Sequence, residues 1–266
     1  MEIHKPKPIH GWRDLLKEVG IIVLGVSIAL AAEQAVEWAH WRNQVDGARH
    51  ALAQELALNI ANGAARVVTA SCKEQRLDHL ADVLDGASRS GVLPPLAESD
   101  VGAAAQNDWP TSTWNNVTSS DVVSHFPRNE INELGLVYQQ IQMLSRLEEQ
   151  ELVIWADLGA MIGPGRRLDP SLDTSLHLAL SRARFLDRIV AVNSGQVVQR
   201  ALALALPYDD EDRRRIANTI SRRRGCTRRP GFNAAAVPPR YGQAPASGIL
   251  EAVRAYQKLP PYTNAK

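Results

Sequence analysis

The chain is poor in the residues that most chemistry needs. Its two cysteines, Cys72 and Cys226, form no CxxC pair and no Cys/His cluster. Zinc fingers, iron–sulfur clusters and thioredoxin-like redox centres therefore lack their ligands. The seven histidines are scattered, with no H-E-x-x-H and no pair at i, i+4, so no metal and no other cofactor is expected. No G-x-S-x-G elbow surrounds Ser124, and Asp121, Ser124 and His125 are triad residue types met by chance in a polar loop. "GPGRR", residues 163–167, lacks the Walker lysine and reads as a turn. Net charge is only +1 over 266 residues, which carries no polyanion-binding signature, so nucleic acid is not expected as a partner. Aromatics make up 5%. No run alternates as sheet strands do, and there is no βαβ rhythm and no internal repeat.

One nearly charge-free run stands out, "EVGIIVLGVSIALAAEQAVEW", residues 18–38. Its uncharged part, Val19 to Ala32, is 14 residues, or about 21 Å of helix against a hydrocarbon core of about 30 Å. That length alone suits a signal peptide, with Ala29-Leu30-Ala31 as a cleavage site, or a buried helix. The flanks favour a retained anchor. Trp12 precedes the run, Trp38 and Trp41 follow it, and Lys17 can snorkel. Trp12 to Trp38 spans about 39 Å of helix, close to the full bilayer with its interfaces. The apolar pattern also continues through Val45, Leu52, Leu56 and Ile60, whereas a cleaved signal would be followed by an independent start. Lys5, Lys7, Arg13 and Lys17 outnumber Arg42 and Arg49 beyond the run, which holds the N-terminus in the cytoplasm. Glu33 and Glu37 then reach the outer interface. Gly25 and Ala29 form a small-xxx-small step that lets two helices approach.

"GWRDLLKEVGIIVLGVSIALAAEQ" followed by "EWAHWR", with "CKEQRLDHLADVL" and the isolated Trp114, resembles a group of uncharacterised bacterial proteins with one N-terminal membrane helix. The resemblance covers the first third well and the rest loosely. It implies an anchor and a bacterial envelope location; no activity attaches to the group, and no functional residue is carried over.

Beyond the anchor, residues 72–87, 129–162, 174–206 and 208–224 read as helices. Residues 88–128 read as a long polar connection, and 227–266, with six of the fifteen prolines, as an extended tail. The expected fold is all-α. Residues 1–17 are a cytoplasmic N-terminus, 18–41 a transmembrane helix, 42–226 a periplasmic helical bundle and 227–266 the tail. Membrane lipid is one expected partner. Other membrane or periplasmic proteins, or a second copy, are the others.

Two stretches are site-like. Trp109 and Trp114 stand among Asn, Asp, Ser and Thr in "QNDWPTSTWNNVTSSD", residues 106–121. That mix either stacks on a ligand or is a loop pinned to the core by its tryptophans. Arg213, Arg214, Arg215, Arg222, Arg223 and Arg224 belong to eight arginines in residues 213–229. They either meet anionic lipid or an acidic partner, or form a solvated helix face. Outside the cytoplasm, Cys72 and Cys226, each read as lying at a helix edge, are expected to pair. With no acid, base and nucleophile converging, a non-enzymatic envelope protein acting by protein contacts is the leading reading. A periplasmic ligand-binding or sensory domain is the alternative.

Overall fold

The computed structural model describes residues 11–212, 214 and 216. The chain divides into two compact units between Gly47 and Ala48. Helix α1, Trp12–Ser90, contributes to both. No proline occurs between Pro8 and Pro94, so no missing amide or ring clash interrupts the hydrogen-bond ladder. Residues 72–87, expected as a separate helix, are therefore the last turns of α1. The helix stops at Gly91, which takes a left-handed φ of 72° and donates its amide to Ala87 O at 2.8 Å. A side chain would be strained there.

Over residues 19–32 the helix is apolar on every side and exposed. Ile21, Ile22, Val23, Leu24, Val26, Ile28 and Leu30 are all exposed.

The second unit packs residues 48–90 of α1 with α4, Arg128–Leu158, and α5, Pro170–Ala203. At one end Leu77, Leu80 and Leu84 meet Trp155, Leu158, Leu176 and Leu180 in a buried cluster. Further along, Leu52, Leu56 and Ile60 are fully buried, as are Leu134, Tyr138 and Ile141 of α4. Helix α4 begins at Arg128, after Pro127, and stops at Leu158, before Gly159 and four residues short of the expected end. Helix α5 starts four residues earlier than periodicity suggested. Asp169 caps it, accepting the amides of Ser171 and Leu172, both at 3.0 Å, and Pro170 opens the first turn.

The stretch 88–128 is more ordered than its polarity suggests. It holds β1, Val92–Leu93, then α2, Glu98–Val101, α3, Ser112–Thr118, and a 3₁₀ turn, Asp121–His125. Strand β1 pairs antiparallel with β2, Arg166–Arg167, in the register Val92↔Arg167 and Leu93↔Arg166. A bridge from Leu96 to Gly163 extends this ribbon. "GPGRR" thus leads into a strand that ties the end of α1 to the α4–α5 connection. Beyond α5, the described residues 210–212, 214 and 216 are helical. The expected tail, 227–266, lies outside the described residues.

Gly63 sets the approach of α1 to α5. A Cβ there would lie 3.0 Å from Val198 Cγ2 and 3.1 Å from the Ser194 carbonyl oxygen. Gly63→Ala should therefore lower stability by about 1–3 kcal/mol through backbone displacement. Gly86, with nothing within 4 Å of its Cβ position, should gain up to ~1 kcal/mol from the same change through helix propensity. Urea unfolding of the two variants should move in opposite directions.

Candidate functional site

The tryptophan loop is fastened to the bundle by side chains of α1 and α4. Glu55 accepts the amides of Thr113 at 2.7 Å and Trp114 at 3.2 Å, which caps α3 from another helix, and it also accepts the Tyr138 hydroxyl at 2.8 Å. Burial, then the Glu55 charge, pushes the Tyr138 phenol far above its ordinary pKa, so it stays a donor. Asn59 donates to Pro110 O at 2.9 Å and Asn62 to Asp108 O at 2.6 Å. Trp109 is 7% exposed. Trp114 stacks on Tyr138, with centroids 4.8 Å apart and planes 6° from parallel. One indole is buried and the other has a face covered.

A charged cross-section lies in the middle of the bundle. Arg66 and Lys73 come from α1, Glu148 and Glu151 from α4, and Asp187 from α5. All five are buried. Arg66 contacts Glu151 and reaches Glu148 at 3.1 Å. Lys73 bonds Glu151 at 2.6 Å and reaches Asp187 at 3.6 Å. Glu148 also accepts the Asn107 amide at 2.9 Å, which fixes the start of the tryptophan loop. Burial pushes Glu151 up, but Arg66 and Lys73 outweigh it and hold the carboxyl below its usual range. Burial, then Arg66, draws Lys73 below its usual value. Three carboxylates thus share two cations. Asp187, the most distantly paired, is pushed by burial up to about 6. It lines an open cleft of about 360 Å³ between α1 and α5.

Trp12, Lys17, Gly25, Ala29 and Trp38 are exposed in the first unit. Trp41 donates to Glu37 at 3.4 Å, and Arg42 lies over the Trp38 ring at 5.2 Å. Ser124 donates to the Asp121 main-chain oxygen at 2.7 Å. Cys72 is half-buried inside α1 rather than at a helix start, and no free cysteine occurs among the described residues. Arg214 is exposed. Cys226, Arg213, Arg215, Arg222, Arg223 and Arg224 lie outside the described residues. No group of His, Cys, Asp and Glu able to hold a metal occurs among the described residues. No protein family, curated protein or solved structure matches the chain.

Proposed function

We propose that the protein is a non-enzymatic, single-pass component of a bacterial inner membrane. In this reading the N-terminus is cytoplasmic, the helical unit is periplasmic, and the protein acts by contacts with other membrane or periplasmic proteins or with a second copy. The supporting observation is the all-round exposure of an apolar helix. The helix is long and apolar enough to cross a membrane by length and composition, and none of its most apolar stretch is buried. A helix that docks on one protein partner needs one apolar stripe; a helix apolar on every side needs lipid or a complete protein sheath. Gly25 and Ala29 give one face of it room for a second helix. Lys5, Lys7, Arg13 and Lys17 support the orientation. The same reading places Cys72 and Cys226 in an oxidising compartment, paired with each other. A non-catalytic role is supported by Arg66, Lys73, Glu148 and Glu151, which are engaged with one another and, through Glu148, with the tryptophan loop.

Full-length protein is expected to stay in the membrane pellet through carbonate extraction, with a C-terminal reporter active only outside the cytoplasm. A soluble mature form beginning near Ala32 would overturn the anchor, and a cytoplasmic reporter signal would overturn the orientation.

A further inference from the structure

The cleft between α1 and α5 lies wholly within the second unit and stands apart from the membrane reading. Its volume of about 360 Å³ falls at the small end of small-molecule sites. Leu77, Ala191 and Val192 supply apolar lining. Two of its charges satisfy each other, since Arg184 pairs with Asp78 at 2.7 Å. Two others do not: Glu74 of α1 and Arg188 of α5 line the same cleft and are exposed. Neither has an ion pair or side-chain hydrogen bond among the described residues. The fifth charge is Asp187, only 8% exposed, whose ion-pair partner Lys73 is 3.6 Å away and bonds Glu151 more closely.

Solvation accounts for either rim charge taken alone. It does not account for a buried, weakly held carboxylate opening onto the same cleft. That carboxylate is the odd anion of a five-membered set, and its charge is best offset from the cleft side. An ammonium group between Asp187 and Glu74 would supply the missing positive charge. A carboxylate on the same small molecule would meet the planar fork of Arg188. The apolar lining then suits an aliphatic side chain. We infer that this cleft binds a small zwitterion, an α-amino acid with an aliphatic side chain, held by Asp187 and Glu74 at its ammonium and by Arg188 at its carboxylate.

Calorimetric titration of the full-length protein in mild detergent, near neutral pH, tests this with three probes of one shape. L-Leucine carries both charges, 3-methylbutylamine lacks the carboxylate, and 4-methylpentanoate lacks the ammonium. Leucine should bind, and each single-charge analogue should bind roughly tenfold or more weakly. Arg188→Gln should weaken leucine to the level of the amine and leave the amine unchanged. Glu74→Gln should weaken both. Both positions are exposed, and unchanged circular dichroism checks that the variants fold. Amine binding as tight as leucine would make this a cation site, and equal 4-methylpentanoate binding an anion site. Either result overturns the inference, as does the absence of binding by leucine, isoleucine and valine at millimolar concentration. Such a failure would leave the membrane anchor untouched, because extraction and topology report on the first unit.

Discussion

Glu151→Gln is expected to destabilise the helical unit by about 3–5 kcal/mol, the range for breaking a buried ion pair from one side. The size follows from what is left behind. Glu151 is fully buried and is the shared partner of Arg66 and Lys73. The glutamine is nearly the same shape, so the loss is electrostatic rather than steric. Two buried cations would face Glu148 and Asp187 alone, at 3.1 Å and 3.6 Å. Urea unfolding measures the effect. A loss below ~1 kcal/mol would mean that water reaches the pair. Lys73→Met combined with Glu151→Gln should lose less than the sum of the single changes, because the second removes one of the charges the first has orphaned.

The pH dependence separates the two carboxylates by sign. Glu151 is depressed in the fold relative to its ordinary value of 4.5. Its contribution is present above that value and is lost as pH falls through the lower folded pKa. Asp187 has the opposite sign. Its folded pKa of about 6 against 3.8 unfolded means that the fold binds the extra proton between those values. Stability should therefore rise as pH falls through 6 and level off near 3.8. Asp187→Asn should remove that rise and raise stability at neutral pH by about 1–3 kcal/mol.

These groups also mark where the sequence was hard to read. Periodic apolar residues made α4 and α5 legible to within a few positions, and the remaining error lay in local signals such as the Asp169-Pro170 start. The join between the long first helix and residues 72–87 was missed for a different reason. Arg66 and Lys73 interrupt its apolar pattern, and a charged helix face normally means solvent. Here it faces Glu148 and Glu151. Those two acids fall in phase with Ile141, Leu144, Trp155 and Leu158 on the buried stripe of α4, the one local hint that charge sits inside. Helices α2 and α3 are too short for periodicity, and α3 owes its cap to Glu55, 58 residues before Thr113. The cleft was illegible because its charges come from helices whose pairing only the fold creates. Glu74 and Arg188 each read, alone, as ordinary solvated residues.

The second large effect concerns Cys72 and Cys226. If the helical unit is outside the cytoplasm, as proposed, an oxidising compartment lets the only two thiols join. No free cysteine occurs among the described residues. Cys72 sits beside Lys73 in the part of α1 that carries the central charges, half-buried and within reach of solvent at one side. Cys226 follows Arg222, Arg223, Arg224 and Gly225. The bridge would close a loop of 226 − 72 = 154 residues. In the chain-entropy model such a loop stabilises by about 5 kcal/mol, with typical measured values of about 2–4 kcal/mol. Most of that comes from restricting the unfolded chain, so the effect should appear in stability more than in helix content. Cys226→Ser is therefore expected to lower the unfolding free energy by about 2–5 kcal/mol while leaving circular dichroism unchanged at native conditions. Reduction of the wild-type chain should reproduce the loss, and reduction of the variant should add nothing. Alkylation before and after reduction, read by mass spectrometry, identifies the bridge directly. Two thiols alkylated without reduction, in protein taken from its native compartment, would refute the pairing and remove one support for placing the unit outside the cytoplasm.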